Sequence, residues 1–244
     1  MEKAYICGMM EKTALITGAT SGIGEACARR FAEGGYRVII TGRNKERLEG
    51  LKSELEGQGR QVLTLLFDVR DRQAAHEAMD ALPLAWREID VLINNAGLAL
   101  GLEPEYEGAW DDWETMIDTN IKGLLTMTRI VVPQMVARNR GHVINIGSVA
   151  GDAAYAGGNV YCATKAAVKT LTDGLRIDVA HTAVRVTNVK PGLVETHFSN
   201  TRFHGDDARA DKVYQGIKPL TGSDIADVAY YAASAPAHVQ IAEV

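Results

Sequence analysis

The chain has 244 residues, 46% of them hydrophobic and 23% charged, with a net charge of −5. This is enough to bury one large α/β domain, and an acidic balance without a basic block argues against nucleic acid or an anionic membrane surface as a partner. No apolar run reaches the ~20 residues of a membrane helix, and the opening MEKAYICGMM lacks the basic start and apolar centre of a secretion signal, so a cytoplasmic location is expected.

Residues 1–10 are set aside as an N-terminal extension, with Met9 or Met10 as alternative starts, and 11–244 are taken as one domain. The first predicted strand is TALIT (13–17), and TGATSGIG (17–24) follows it directly into a helical pattern from Gly22 to Glu33. Glycines at 18, 22 and 24 permit a tight turn and a close backbone approach to phosphate, and the helix N-terminus favours negative charge. Gly18, Thr20, Ser21, Gly22, Ile23 and Gly24 therefore form a candidate dinucleotide cradle. Its GxxxGxG spacing departs from the common GxGxxG, and a plain structural turn is the alternative.

The second strand, YRVIIT (36–41), ends at TGRNKER, where an NAD-binding chain usually places an acid. Arg43 stands there instead; a guanidinium pairs with a 2′-phosphate that a carboxylate would repel, so NADP(H) is the expected cofactor. The mixed charges of the next helix, Asn44 to Glu56, describe a solvated face. After the third strand, QVLTLLF (61–67), Asp68 and Val69 are placed to meet the adenine edge, with a loop cap as the other reading of Asp68. A helix over Asp71 to Leu82 leads to the fourth strand, IDVLINN (89–95), and one long helix is predicted from Trp110 to Arg138. HVINIGS (142–148) brings Ser148 to a strand end, and the helix from Asn159 to His181 carries Tyr161 and Lys165.

Four residues is about one helical turn, so that phenol and that ammonium share a face. A nearby cation favours the phenolate and would bring the tyrosine toward neutral pH, where it can exchange a proton with substrate. VRVTNVK (184–190) is the sixth strand, the polar stretch from Glu195 to Pro219 is a candidate substrate lid, and a last helix spans Ser223 to Ser234. Strands alternating with helices predict a single-domain, Rossmann-like, doubly wound parallel sheet with helices on both faces. Cys7, Cys27 and Cys162, without a CxxC, read as reduced thiols, with Cys162 a buried cysteine and not a nucleophile. The six histidines show no metal-ligand spacing, His197 and His204 read as surface residues, and no metal is expected.

Taken together, TGATSGIG, NNAG (94–97), GSVAG with Ser148, and YCATK with Tyr161 resemble the short-chain dehydrogenase/reductase family, in order and spacing, from about Thr13 past Pro191 and Gly192. Within it, GLALGLEP, DWETMIDTN, YAGGNVY and AVRVTNVKPGLVETHFSNTRFHGDD are similar to the NADP-dependent 3-hydroxy acid dehydrogenases, which act on L-allo-threonine and serine and reduce malonic semialdehyde. The resemblance implies Asn120, Ser148, Tyr161 and Lys165 as the catalytic four. It implies Asn95, Ala96, Gly97, Pro191, Gly192, Val194 and Thr196, with Tyr161 and Lys165, as further cofactor contacts, Val194 by backbone and Thr196 by hydroxyl backing the nicotinamide carboxamide from the PGLVET loop. Pro191 and Gly192 as a strand terminator is the alternative.

Ser148 can hydrogen-bond a substrate oxygen, Tyr161 can pass it a proton, Lys165 can hold the nicotinamide ribose, and Asn120 suggests a backbone or water contact completing a proton relay. A substrate carboxylate needs a cation; Arg202 is the candidate, Arg209 its competitor, and a surface role for both the other reading. The helices at 110–138 and 159–181 resemble those that pair subunits in the family, which implies a homotetramer. Related chains continue into a further strand where this one ends at AHVQIAEV, so an exposed sheet edge is expected. Reduction of another carbonyl, such as a 3-ketoacyl thioester or bulky ketone, is the competing activity, and a non-catalytic NADP-binding sensor is the alternative from another class.

Overall fold

The computed structural model describes residues 11–196, 198–206, 208–209, 213, 216 and 218–244. Six parallel strands form one sheet in the order β3-β2-β1-β4-β5-β6. They are β1 (Thr13–Ile16), β2 (Arg37–Gly42), β3 (Val62–Leu66), β4 (Val91–Asn94), β5 (Gly141–Ile146) and β6 (Val184–Val189). Side chains alternate between faces along a strand, so one face presents Ala14, Ile16, Val38, Ile40, Ile93 and Ile144 while the other presents Leu15, Ile39, Leu92, Val143 and Val186. Both faces are apolar because both are covered, which is why the strands read as unbroken hydrophobic runs.

The first face is roofed by α1 (Gly22–Glu33), α2 (Lys45–Gly57) and α8 (Gly222–Ser234), through Phe31, Leu48, Leu55 and Ile225. Burying a side chain the size of Phe31 contributes about 1.5–3 kcal/mol. The second is roofed by α3 (Arg72–Asp80), α5 (Leu124–Ala137) and α6 (Asn159–Asp178), with Met79, Met127, Val131 and Met135 packed inward. Asn44 and Asp71 cap α2 and α3 by accepting from Arg47 N and Ala74 N, and Thr221 and Asp224 form a reciprocal capping box on α8.

The helix expected from Trp110 to Arg138 is not uniform. It comprises α4 (Trp110–Ile117), a π-helical stretch over Asp118–Gly123, and then α5. The stretch from Glu195 to Pro219, read as unpatterned, is tied down at its base. Val194–Glu195 (β7) pairs in parallel with Leu220–Thr221 (β8), and Phe198–Arg202 forms α7. His197 and the middle of the expected lid lie outside the described residues, as do residues 1–10 with Cys7.

The expected open edge beyond β6 is corrected by the structure. The segment ending at Val244 lies alongside β6, with Asn188 N donating to Ala242 O at 3.0 Å, Val244 N to Asn188 O at 3.0 Å and Lys190 N to Val244 O at 2.8 Å. Upstream of these bonds, the Gln240 side chain donates to Val186 O and accepts from Val186 N, doing with an amide what a strand does with its backbone. No helix among the described residues is long and apolar enough to cross a membrane.

Beside this edge, His142 of β5 is buried, and its Nε2 lies 2.7 Å from the Thr187 hydroxyl, which donates to Ile241 O. Burial, aided by Arg185, pushes the imidazole down to about 3. The unfolded chain takes up this proton below its ordinary value near 6.5, while the folded chain resists until about 3, so stability falls as pH drops through that window. His142→Phe should lose less stability than wild type between pH 7 and pH 4.5, by about 2.5 kcal/mol. Urea titrations at the two pH values measure the difference; equal losses would contradict it.

Candidate active site

Where the strand order reverses, between β1 and β4, the carboxyl ends of the strands open into a cavity of about 610 Å³. Its floor is the turn from β1 into α1. Gly18 and Gly22 have φ of +66° and +57°, conformations in which a side chain is strained, and a Cβ on Gly18 would lie 2.9 Å from Ala96 Cα. Gly24 does not border the cavity. It lets α1 press on the turn, since a Cβ there would collide with Gly18 O and Asn95 Nδ2. Asn95 in turn donates to Thr17 O and Gly18 O, while the Thr17 hydroxyl accepts from both Asn95 N and Ala96 N. The Ser21 hydroxyl makes no cap bond on α1. The first-turn N–H groups of a helix lack intrahelical partners and carry its positive end, so the cradle suits a phosphate.

Thr20, Ser21, Ile23, Arg43, Asp68, Val69, Ala96 and Gly97 line the same cavity. Arg43 follows β2 directly, with its side chain 60% exposed and Nη1 3.7 Å from Asp68 Oδ2, so the guanidinium stands at the mouth and is free to meet an added phosphate. Asp68 is at once a wall residue and a loop cap. It borders the cavity, and it closes the turn after β3 by accepting from Arg70 N at 3.0 Å. Burial raises its pKa, but hydrogen bonds from the Arg70 side chain and backbone outweigh this and hold the carboxyl below its usual range. Pro191, Gly192, Val194 and Thr196 form the opposite wall; Pro191 O accepts from Val149 N, and the Thr196 hydroxyl accepts from Phe198 N at 3.2 Å. The glycine turn, the helix end and the cation at the mouth together fit a phosphorylated dinucleotide.

At the far end, α6 presents Tyr161 and Lys165 beside Ser148, which leaves β5 and accepts from Ala150 N at 3.1 Å. Lys165 Nζ donates to Ile146 O at 2.9 Å and lies 5.9 Å from the Tyr161 ring centroid. The expected fall of the phenol toward neutrality is not what the structure contains. Burial pushes Tyr161 up to about 12, with the Ser148 hydroxyl and Arg202 only partly opposing it, and burial brings Lys165 down to about 8. Desolvation outweighs the neighbouring charge, so Tyr161 retains its proton at neutral pH.

Asn120 lies in the π-helical stretch and does not border the cavity. Its Oδ1 accepts from Leu98 N at 2.9 Å, and its Nδ2 donates to Leu98 O at 2.8 Å and Thr164 Oγ1 at 3.0 Å. The side chain thus pins the segment after β4 to α6, with both amide protons used and one Oδ1 lone pair left over. Arg202, at the end of α7, does reach the cavity, whereas Arg209 sits 3.8 Å from Glu103 and above the Phe203 ring. Cys162 is buried without bordering the cavity, and His204 pairs with Asp112 at the surface. Among the wall residues that the sequence did not single out are Tyr155 and Phe198, the latter edge-on to Tyr161 at 5.7 Å. Only the glycines following Tyr155 signalled the first, and nothing local signals the second.

A doubly wound sheet with a phosphate cradle at its switch point and a buried phenol, ammonium and hydroxyl at the cavity end defines a nucleotide-dependent oxidoreductase. The chain belongs to the short-chain dehydrogenase family, whose profile matches residues 12–207. It is 58% identical over 228 residues to the NADP-dependent 3-hydroxy acid dehydrogenase YdfG of Salmonella typhi, covering 93% of this chain and 91% of the relative. Serine 3-dehydrogenase of Agrobacterium fabrum is 47% identical over 232 residues, covering 95% and 92%. Among solved structures, the closed form of serine dehydrogenase complexed with NADP+ superposes with a TM-score of 0.92 at 53% identity, covering 95% of this chain and 94% of that one.

Proposed function

We propose that the protein is an NADP-dependent oxidoreductase that transfers a hydride between nicotinamide and a small 3-hydroxy acid of the L-allo-threonine, serine, 3-hydroxypropionate or 3-hydroxyisobutyrate type. The observation that carries this reading is the meeting of Tyr161, Ser148 and the Arg202 guanidinium at one end of a cavity whose other end is a phosphate cradle with Arg43 at its mouth. Gly18, Thr20, Ser21, Gly22 and Ile23 hold the pyrophosphate, Arg43 the 2′-phosphate, and Asp68 with Val69 the adenine side. Asn95, Ala96 and Gly97 line the ribose region, and Pro191, Gly192, Val194 and Thr196 back the carboxamide. Gly24 shapes the cradle from behind. When bound, NADP(H) supplies or takes up the hydride.

In reduction, the Ser148 hydroxyl donates to the substrate carbonyl oxygen and Tyr161, protonated at neutral pH, delivers the proton that completes the alcohol. Lys165 holds the nicotinamide ribose. Asn120 is a positioning residue that keeps Leu98 and α6 in register beside Lys165, and any share it has in proton transfer runs through its main chain or a water. Arg202 takes the substrate carboxylate. The protein works in the cytoplasm as a homotetramer assembled through α4, α5 and α6, a reading supported by Trp110 at 72% exposure with Ile117 and Leu125 also exposed.

Absorbance assays of L-allo-threonine, L-serine, 3-hydroxypropionate and 3-hydroxyisobutyrate with NADP+ and NAD+ test the proposal. Turnover with NADP+ on at least one acid is the expected result; cofactor binding without turnover on any of them would favour a sensor. Arg43→Ala should raise the KM for NADP+ by about 10- to 100-fold, the worth of a charge-assisted contact, and leave that for NAD+ nearly unchanged.

A further inference from the structure

Arg202 has one guanidinium nitrogen that no described residue satisfies. Its Nε donates to Gly101 O at 3.0 Å and its Nη1 to the Tyr155 hydroxyl at 2.8 Å, while Nη2 is buried without a partner. Buried guanidinium N–H groups are expensive to leave unbonded, so a fixed Arg with one spare nitrogen is a waiting site for an anion. The guanidinium carbon lies 5.4 Å from the Tyr155 ring centroid and 5.8 Å from that of Tyr161, so the cation stands between two tyrosines. One of them has a chemical task. The other, Tyr155, has none in the mechanism above, yet it borders the same cavity.

The backbone is arranged to seat that second ring. A Cβ on Gly158 would collide with the Tyr155 ring, and one on Gly157, at φ +71°, would collide with Leu102 O. With both glycines in place, the 155–158 turn closes by Gly158 N donating to Tyr155 O at 3.0 Å and folds onto the loop that supplies Gly101. Arg202 is tied to this loop twice, since Gly101 N also donates to Arg202 O at 3.0 Å.

We infer that Tyr155 is the positioning and specificity residue for the acid end of the substrate. Its hydroxyl accepts from Nη1, which fixes the guanidinium plane and leaves Nη2 for a carboxylate oxygen. Its own O–H proton remains free to donate to the second oxygen, giving two donors on one carboxylate. Substrates whose carboxylate sits within a few bonds of the carbinol are selected, because phenol and guanidinium must engage one short molecule together. This inference rests on the 3-hydroxy acid reading.

Tyr155→Phe keeps the ring against Gly158 and removes only the hydroxyl. With L-serine and 3-hydroxypropionate, the KM for the acid should rise about tenfold, with kcat and the KM for NADP+ little changed. In an Arg202→Lys background, where the guanidinium fork that the tyrosine fixes is gone and only its direct O–H contact remains, adding Tyr155→Phe should produce a clearly smaller rise. An unchanged acid KM in the single variant, a parallel loss of kcat and NADP+ affinity, or the full tenfold effect persisting in Arg202→Lys would each overturn the inference. A wild-type protein that turns over no 3-hydroxy acid with NADP+ overturns the underlying reading and this one with it. An active wild type with an indifferent Tyr155→Phe overturns this one alone.

Discussion

Tyr161→Phe should cut turnover by about 10²- to 10⁴-fold, the range for removing a positioned general acid, while NADPH still binds. The reason is local. Tyr161 is 9% exposed and its pKa is raised to about 12 by burial, so at neutral pH the phenol is a loaded proton donor in a site that supplies few replacements. Phenylalanine preserves the ring, its edge contact with Phe198 and the packing around Cys162, so the loss is confined to one proton and one hydrogen bond. Single-turnover absorbance and NADPH fluorescence separate chemistry from binding. Wild-type turnover in this variant would remove Tyr161 from the mechanism, and loss of NADPH binding would assign it to the scaffold.

Gly24→Ala should damage the cradle from a position that does not border the cavity. The new methyl would collide with Gly18 O, a backbone atom that cannot swing away, and with the Asn95 amide that fastens the same turn. Overpacking of this kind costs about 1–3 kcal/mol and sometimes more. The melting temperature should fall by about 5–10 °C and NADPH affinity by about tenfold or more, because the turn and the helix end must move apart. Gly50→Ala is the control. Gly50 lies within α2 with open space beyond its Cα, so the same chemical change should stabilise by about 0.5–1 kcal/mol. Equal behaviour of the two variants would refute the account of the cradle.

Much of this was legible because the signals were local. Six strands stood out because a sheet covered on both sides needs apolar residues at every position, and α1 could be placed to the residue because glycines 18 and 22 adopt the left-handed turn that opens it. Arg43 was found because its place at a strand end is itself the signal. What could not be read were features made by contacts far apart in the chain. The Tyr155 contact with Arg202 spans 47 residues, and the Gly101 contact with Arg202 spans 101. Pairing of the Val244 end with β6 is likewise written in main-chain geometry, where the sequence shows only a short mixed segment. Charge proximity misled the reading of Tyr161, since four residues of spacing report a shared face but not how thoroughly that face is dried.

The π-helical stretch over Asp118–Gly123 sets a phase between two machines. Ahead of it, α4 places Met116 in the apolar cluster beside Tyr161; behind it, α5 sends Met127, Val131 and Met135 into the sheet. Each residue of a regular α-helix turns the next by about 100°. Deleting one residue here would relax the wide turn into ordinary helix and, because a π turn spreads one extra residue over about the same rotation, would leave α4 and α5 nearly in phase. The sheet would keep its methionines, while Asn120, carried by the wide turn itself, would swing away from Leu98. A chain that tolerates length changes in its surface loops should tolerate none at this point, where the helix works as a gear coupling between catalysis and core.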